Sequence, residues 1–505
     1  MANGRTSTSS LTLRNPTASP VSKLTEDILW LIFMINTVSY SPSDEELSDP
    51  NCLPLNIARL SSQVCHQWRH VLLKTSSVWA RLLDWRSLNQ ETDDWRNEVL
   101  GRTGTSLLWI GGHDETDSDE PKDSTLLFFH RLVVDHWERI ERLMQFPTQY
   151  ERIDGLRYVV QRPAPNLKMF AFPDSPRDYH EFEGSMFAGQ APRLRVFHAM
   201  GTRCHLEIAW MSNIRELALG RLFNNKVVCR VLTQLPRLEI LELDGHTIID
   251  GYQPPVIHLP ELRVLKLWAC ISYVACIKPH PGCALLLWQE GQTDRDPFEV
   301  YTQAISTLIH NNISMHPAKR AYLECRTSIF TLSEAHIDHS GHFSRKDETF
   351  DITICPDTTS SFAVIERLLL ALESPYFSTT LQMTLACDVM MESTRVCQAF
   401  NRFCSHFSGL EILSLHPTDI NMLLNDGCLE HLLFPKLHTL ILLGLGSVEN
   451  RICWIDPFTR YLSYRRDRGF PITTIDLRTE LCFQGGIPKS LECLDSFAGM
   501  KILWK

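Results

Sequence analysis

A short apolar pattern, Leu-x-x-Leu-x-Leu with aliphatic or aromatic residues at the Leu positions, recurs along most of this 505-residue chain. Clean copies have Leu or Ile at all three positions: Ile214/Leu217/Leu219, Leu238/Leu241/Leu243, Leu262/Leu265/Leu267, Leu410/Leu413/Leu415, Leu437/Leu440/Leu442 and Ile472/Ile475/Leu477. Looser copies begin at Ile140, Leu167 and Leu194. First positions are 27, 27, 20, 24 and 24 residues apart from Ile140 to Leu262, then 27 and 35 from Leu410 to Ile472.

This spacing constrains the fold. Residues two apart on a strand point to the same side, so the last two positions of each copy bury together. One strand cannot bury its apolar side alone, and neighbouring copies must therefore stack on a shared core. All spacings but the last fall within the roughly 20–29 residues of a leucine-rich repeat. The pattern predicts an α/β fold in which residues 107–505 form an irregular leucine-rich-repeat-like solenoid.

The repeat is interrupted in residues 271–409. No clean copy lies between Leu262 and Leu410, although residues 351–355 and 381–386 have the pattern of strands and residues 362–372 that of a helix. The segment is either a run of degenerate repeats or an insertion, and the sequence leaves both open. It also leaves open that the short strands of another α/β fold imitate the template.

Residues 21–90, ahead of the repeats, are predicted to form a separate helical module. Its first helix follows Thr25, and the chain is apolar on all sides from Ile28 to Ile35. Such a helix must be covered on every side. A segment of about 60 residues buries too little surface to do this alone. We therefore expect the rest of the chain or a partner protein to supply the cover.

A second helix is predicted from Ile57 to Val71, because Ile57, Leu60, Val64, Trp68 and Val71 recur every three or four residues. Three pieces of the module resemble the F-box. They are Leu24 to Phe33, then Val64-Cys65-x-x-Trp68-Arg69, then Thr75-Ser-Ser-Val-Trp79. The long polar stretch of residues 40–54 is similar to the insertion in fungal-type F-boxes. Thr25 stands where the family usually has proline, a departure that still permits a helix start.

The resemblance implies a function. F-box proteins bind a Skp-family adaptor through this module. The adaptor joins them to a cullin and a RING subunit, and the assembly ubiquitinates the protein that the C-terminal domain holds. The resemblance thus implies the substrate receptor of an SCF-type ligase. Positions that match for adaptor contact are Leu24, Ile28, Leu29, Ile32, Phe33, Val64, Cys65, Trp68 and Trp79. The sequence does not divide surface contacts from internal core within this set.

Composition narrows the class of partner and the compartment. Lys and Arg total 49 against 59 Asp and Glu, so the chain lacks the basic balance that favours nucleic acid. The run from Ile28 to Ile35 is far shorter than the ~20 residues of a membrane span, and we expect no transmembrane helix and no secretory signal. The 16 scattered cysteines include no Cys-x-x-Cys pair, which favours reduced thiols in a cytoplasmic or nuclear protein. Residues 1–20 are predicted to be a disordered tail.

Two clusters have side chains that could hold a metal, and we predict that neither does. One contains His336, His339 and His342 near Glu334 and Asp338; the other contains Cys270, Cys276, His280 and Cys283. Ser340-Gly341 disfavours a helix, and the cysteine spacings match no familiar zinc module. With no nucleotide-binding or nucleophile motif, we expect no cofactor and no enzymatic activity. The alternatives are a repeat scaffold outside any ligase and, third, an enzyme with a site in 271–409.

The substrate surface is predicted from strand alternation. Residues flanking the last two buried template positions point to the opposite side of the strand. In a solenoid this is the concave surface, which is free to bind. The predicted substrate-binding residues are Glu242, Asp244, Lys266, Trp268, Asp476 and Arg478; the same rule selects Glu216, Ala218, Gly220 and Val264. Trp268 is the expected anchor, because a Trp among charges is typical of binding hot spots.

Overall fold

The protein is described from a computed structural model of the whole chain. The described residues are 23–37, 53–111, 121–144, 158–172, 180–182, 184–206, 209–245, 254–291, 298–334, 350–356, 361–387, 393–424, 432–443, 455–478, 494, 497 and 499–504. The tail predicted at residues 1–20 lies outside them. The chain divides into two compact units, residues 1–160 with 164–167 and residues 161–163 with 168–505. The first unit therefore extends beyond the helical module predicted at 21–90.

The first unit combines short helices with a small sheet. Its elements are α1 (Glu26–Ile35), α2 (Pro54–Ser61), α3 (His66–Lys74), α4 (Ser76–Trp79), β1 (Leu83–Asp84), α5 (Asp94–Arg102), β2 (Leu108–Gly111), α6 (Asp123–His136) and β3 (Ile140–Leu143). Strands β1, β2 and β3 pair in parallel in that order. Helix α1 packs against α3, where the rings of Phe33 and Trp68 meet edge to face with centroids 5.4 Å apart.

The prediction of one continuous helix from Ile57 to Val71 was wrong. Helix α2 ends at Ser61 and α3 begins at His66. Between them the backbone tightens, with the amides of Gln63 and Val64 donating to carbonyls only three residues back. The side chain of Ser62 donates to the carbonyl of Arg59 at 2.6 Å, which is the local bonding by which serine competes with a helix. The break leaves Val64 and Cys65 on the surface.

The second unit alternates strands with helices. Its strands are β4 (Met169–Ala171), β5 (His180–Glu181), β6 (Val196–Ala199), β7 (Thr202–Arg203), β8 (Glu216–Leu219), β9 (Ile240–Asp244), β10 (Ile257–Leu259), β11 (Val264–Trp268), β12 (Ile277–Pro279), β13 (Ala284–Glu290), β14 (Arg320–Arg326), β15 (Ile329–Ser333), β16 (Asp351–Cys355), β17 (Gln382–Cys387), β18 (Ile412–Leu415), β19 (Thr439–Leu442), β20 (Thr474–Asp476) and β21 (Lys501–Leu503). Its helices are α7 (Asn225–Leu232), α8 (Tyr273–Cys276), α9 (Phe298–Met315), α10 (Ser361–Ala371), α11 (Thr394–Ser405) and α12 (Ile455–Asp467).

Fourteen of these eighteen strands form a mostly parallel sheet, which confirms the predicted α/β class, while β5 pairs with β7 and β10 with β12 in two separate two-stranded sheets. The strands of the large sheet are hydrogen-bonded in the order β4-β6-β8-β9-β11-β13-β16-β15-β14-β17-β18-β19-β20-β21. Equivalent template positions pair across it, with Leu217, Leu241 and Leu265 in one register row. These side chains are fully buried, because every second residue points to the side of the sheet that forms the core.

Residues 271–409 extend this sheet in two ways. Strands β13 and β17 continue the parallel series, with Leu285 beside Leu265 and Met383 beside Leu413. Between them lies an antiparallel meander in which β14 pairs with β15 and β15 with β16. Strand β16 returns beside β13, and β14 lies beside β17. The segment therefore adds two strands to the parallel series and an antiparallel meander between them, all within one sheet.

Neither β13 nor β17 could be recognised by the template, because the residue at its first position is not aliphatic. Gly282 occupies that position before β13, and Thr380 occupies it before β17. Thr380 is buried, where its hydroxyl donates to the carbonyl of Ala318 at 3.0 Å. A hydrogen bond thus replaces the apolar contact that the template requires.

Helix α9 is the longest helix in the described part of the chain, with 18 residues. Within that part, no helix is both long and apolar enough to cross a membrane.

Candidate protein-binding surfaces

The structure divides the nine predicted adaptor-binding residues by exposure. Leu29, Phe33 and Trp79 are buried in the core of the first unit. The half-buried members are Leu24, Ile32 and Trp68, and the exposed members are Ile28, Val64 and Cys65. The buried residues support the helices from within, and only the other six present side chains to the surface.

Trp79 shows why part of this set is internal. Its indole Nε1 donates to the carbonyl of Leu72 at 2.7 Å, which ties α4 to the end of α3. The guanidinium of Arg102 lies over its ring at 4.4 Å from the centroid. With its N–H bonded, one face covered and its side chain buried, Trp79 has a structural role.

Helix α1 also exposes Leu31 and Ile35, which the motif comparison did not select, beside Ile28, which it did. Ile28, Leu31 and Ile35 are 45%, 48% and 59% exposed, and spacings of three and four place them on one side of the helix. We call these three residues the α1 apolar stripe. Trp30 is exposed as well, and its indole is 3.4 Å from the hydroxyl of Ser77. The all-round apolarity of the segment was the sequence signal for this surface.

In the second unit, the sheet has a polar side opposite its apolar core. Four of the six predicted substrate-binding residues lie together there, because Glu242 and Asp244 of β9 are register partners of Lys266 and Trp268 of β11. The indole of Trp268 donates to Glu242 Oε1 at 2.8 Å, and Lys266 Nζ is 3.5 Å from Glu242 Oε2. These contacts hold the ring of Trp268 in a defined orientation.

Asp476 and Arg478 form a separate pair rather than part of the same site. Seven strands lie between β11 and β20 in the sheet, so the two are eight strand spacings apart, about 38 Å along the sheet at ~4.8 Å per spacing. Arg478 Nη2 is 2.7 Å from Asp476 Oδ2. The hydrogen bonds from Arg478 hold the pKa of Asp476 below its ordinary value, although partial burial opposes the shift. The two residues chiefly satisfy one another.

The polar side also contains residues that sequence reasoning missed. Trp288 of β13 is the register partner of Trp268 and is 39% exposed, with its indole donating to Glu290 Oε1 at 3.2 Å. On β14, Glu324 accepts from the hydroxyl of Tyr322 at 2.9 Å and pairs with Arg326 Nε at 2.8 Å. The sequence of β13 shows no alternation of polar and apolar residues, so its outward side could be assigned only once its pairing with β11 was known.

Three positions assigned to the predicted concave surface do not offer it a side chain. Ala218 and Val264 are buried. The backbone of Gly220 packs directly against the backbone of Met200, so that a Cβ at position 220 would lie 1.7 Å from the carbonyl oxygen of Met200. Glycine at this position allows two backbone segments to approach.

At one edge of the polar side, Glu216 of β8 pairs with His198 of β6. The imidazole Nε2 is 2.8 Å from Glu216 Oε1. Burial raises the pKa of Glu216, but the hydrogen bond from His198 and the charges of His198 and Lys266 outweigh it, so that the net pKa is below its ordinary value. The carboxylate form of Glu216 is therefore favoured in the folded protein.

This depressed pKa predicts a pH-dependent stability. A carboxyl group whose pKa is lower in the folded than in the unfolded chain stabilises the fold above its unfolded value of ~4.5, and this contribution is lost as pH falls through the folded pKa. We expect Glu216→Gln to reduce the loss of unfolding free energy between pH 6 and pH 3, measured by urea titration. Glu261→Gln, at an exposed position, is the control. Identical pH profiles for wild type and Glu216→Gln would contradict the assignment.

The two candidate metal clusters differ in what the structure describes. Cys270, Cys276 and Cys283 are buried, and their sulfurs lie 3.2–3.3 Å from backbone carbonyl oxygens. Burial raises the pKa of Cys276 to about 12. Over the described ranges, no three His, Cys, Asp or Glu side chains are grouped so that they could hold a metal ion. His336, Asp338, His339 and His342 lie outside the described residues.

Comparisons with known proteins identify no family for this chain. No protein-family model matches it, and no curated protein matches its sequence. Among solved structures, it has a distant similarity to the crystal structure of a Bacteroides fragilis protein that was a structural genomics target. The two are 11% identical, and the match covers 77% of this chain and 87% of that one with a TM-score of 0.22. Similarity at this level carries no argument about fold or function.

Proposed function

We propose that this protein is a non-catalytic substrate receptor of an SCF-type cullin-RING ubiquitin ligase. In this proposal the helices of the first unit are an F-box that binds a Skp-family adaptor, through which a cullin and a RING subunit join. The second unit is an irregular leucine-rich-repeat-like solenoid whose polar side holds a protein substrate. A cytoplasmic or nuclear location follows from the role.

The α1 apolar stripe is the observation that carries the proposal. A ten-residue helix that exposes Ile28, Leu31 and Ile35 on one side leaves a contiguous apolar surface in water. Burying each of these side chains in a protein interface is worth roughly 1.5–3 kcal/mol. The stripe lies within the segment whose motifs resemble the F-box, and apolar helical surfaces of this kind are typical of protein partners.

The polar side of the second unit supports the other half of the proposal. It combines partly exposed indole rings with charged groups, which is the composition of binding hot spots. The same surface would suit a repeat scaffold outside any ligase. Co-purification of the cullin and RING subunits with the tagged full-length chain distinguishes the two functions, because a scaffold has no reason to retain them.

The adaptor contact is tested with a double variant of the stripe. We expect Leu31→Glu with Ile35→Glu to weaken binding of the full-length chain to a purified Skp-family adaptor at least tenfold in calorimetry, because two charges would have to be desolvated in the interface. The melting temperature should remain close to that of the wild type, since both positions are exposed.

Leu370→Glu provides the matched control, because Leu370 is an exposed leucine on α10 of the second unit. It should bind the adaptor as the wild type does. If the double variant retains wild-type affinity, or if the wild-type chain does not bind the adaptor, the F-box assignment is wrong.

A further inference from the structure

The polar side of the sheet between β8 and β14 carries an excess of acidic groups. Its register rows contain six acidic residues, Glu216, Glu242, Asp244, Glu290, Glu324 and Asp351, and three basic ones, Lys266, Arg320 and Arg326. His198 adds a titratable group beside Glu216. A surface with this balance attracts cations and repels acidic or phosphorylated segments.

Two indole rings lie in the middle of this acidic region. Trp268 and Trp288 are register partners on adjacent parallel strands, so their side chains leave the same side of the sheet. The N–H of each ring donates to a carboxylate, Glu242 for Trp268 and Glu290 for Trp288. These bonds use the polar edge of each indole, and the exposed area of Trp288 is therefore mostly aromatic surface.

Burial and the negative charge of this region together raise the pKa of a neighbouring thiol, that of Cys355. Cys355 of β16 is the register partner of Glu290. Burial raises the pKa of the Cys355 thiol first, and the charges of Glu290 and Glu324 raise it further. Carboxylates from β13 and β14 thus act on the same location, across the strands β16 and β15 that lie between them.

An unsatisfied hydroxyl lies on the same side of the sheet. Ser333 of β15 is the register partner of Asp351 and Tyr322. It is more than nine-tenths buried, and among the described residues its Oγ has no hydrogen-bond partner. Buried hydroxyls normally have a hydrogen-bond partner. The hydroxyl of Ser333 is therefore an unused hydrogen-bonding group beside the carboxylate of Asp351.

The ligand chemistry that fits these features is a guanidinium. A planar cation can lie against an aromatic ring and direct its N–H groups to a neighbouring carboxylate at the same time. An ammonium has a more compact, more strongly hydrated charge and lacks the planar fork of donors. The intramolecular pair of Arg326 with Glu324 shows that a guanidinium already pairs with a carboxylate on this surface.

We propose that the surface of Trp268, Trp288 and Glu290 binds an arginine side chain in a basic segment of the substrate. The guanidinium lies on the ring of Trp288, with Glu290 as its counter-ion and Glu242 and Asp244 extending the negative field. The inference rests on the proposed function, in that it names the substrate class for the polar side of the second unit.

The test uses three fluorescein-labelled heptapeptides of alternating alanine with arginine, lysine or citrulline, bound to the full-length chain and measured by fluorescence anisotropy. Citrulline keeps the shape of arginine without its charge. We expect the arginine peptide to bind about tenfold more tightly than the citrulline peptide, with the lysine peptide between them. Equal affinity for the arginine and citrulline peptides would overturn the proposal.

Two variants locate the site. Trp288→Leu and the nearly isosteric Glu290→Gln should each weaken binding of the arginine peptide about fivefold or more. Tyr376→Leu, at an exposed aromatic residue following α10, and Glu98→Gln, on α5 of the first unit, are the matched controls and should bind the peptide normally. Wild-type affinity in both site variants, or an equal loss in Glu98→Gln, would show that binding is non-specific attraction to an acidic protein.

Adaptor binding by the same samples separates this inference from the proposed function. Trp288→Leu and Glu290→Gln should bind the Skp-family adaptor normally. If the wild-type chain discriminates arginine from citrulline but does not bind the adaptor, the arginine site is supported and the proposed ligase function is wrong. If it binds the adaptor but does not discriminate the two peptides, the ligase function is supported and the arginine site is wrong.

Discussion

Gly220→Ala is expected to lower the free energy of unfolding by about 3 kcal/mol or more, the upper range for overpacking. A Cβ at this position would lie 1.7 Å from the carbonyl oxygen and 2.6 Å from the carbonyl carbon of Met200. Both are backbone atoms, so no side chain can rotate away. The amide of Gly220 also donates to the carbonyl of Ala199, which holds the end of β8 against β6. Relief of the clash would have to separate these strands.

Gly101→Ala is the matched control for this substitution. Gly101 is in the last turn of α5, and a Cβ there would have nothing within 4 Å. Alanine is favoured over glycine in helices by up to about 1 kcal/mol, so this variant should be slightly more stable than the wild type. Urea unfolding of both variants provides the measurement. A Gly220→Ala protein as stable as Gly101→Ala would mean that Met200 does not approach the sheet as described.

Arg465→Met is expected to cost about 4 kcal/mol or more of unfolding free energy. Arg465 is fully buried on α12 and donates to four backbone carbonyls, those of Leu433, Phe434, Leu437 and Phe470, at 2.9–3.1 Å. Removing the guanidinium would leave these acceptors in the interior, and each unsatisfied buried group costs roughly 1–3 kcal/mol. Phe434 has a left-handed backbone with φ of 54°, a conformation that persists only where its surroundings hold it.

The neighbouring residue offers a direct comparison. Arg466 follows on the same helix with a half-exposed side chain, and Arg466→Met should change the unfolding free energy by less than about 1 kcal/mol. Arg465→Lys should be intermediate, because one ammonium cannot reach carbonyls arranged for a planar fork. The measurement is chemical unfolding of the three variants in parallel. Equal stabilities for Arg465→Met and Arg466→Met would refute the structural role of Arg465.

The buried rows of the sheet were predictable from the sequence, but the strand arrangement of residues 271–409, where the template has no clean copy, was not. Template copies such as Leu238/Leu241/Leu243 identify their strands because alternation and spacing act locally. Strands β13 and β17 could not be recognised because Gly282 and Thr380, at the first template position, have no aliphatic side chain. The meander of β14, β15 and β16 has no repeat at all, and its place between β13 and β17 depends on long-range pairing.

The candidate surfaces show the same division. The sequence identified the apolar character of residues 28–35, but burial of Leu29 and exposure of Leu31 depend on which side of α1 packs against α3. Strand alternation in the sequence selected Trp268. Trp288, 20 residues further along the chain, lies beside Trp268 only because β11 and β13 pair in parallel. Asp476 and Arg478 satisfied the same rule, but seven strands separate their strand from β11.

The sequence by itself determined the α/β class, the side of each clean repeat strand that is buried and the apolar first helix. These follow from local periodicity, because alternation along a strand and apolarity around a helix are properties of neighbouring residues. Only the tertiary structure decided the strand order, the break between α2 and α3, the close contact at Gly220 and the four carbonyls that Arg465 holds. Each of these features depends on contacts between residues distant in the chain or on competition between local hydrogen bonds. The spacing of apolar residues predicts neither.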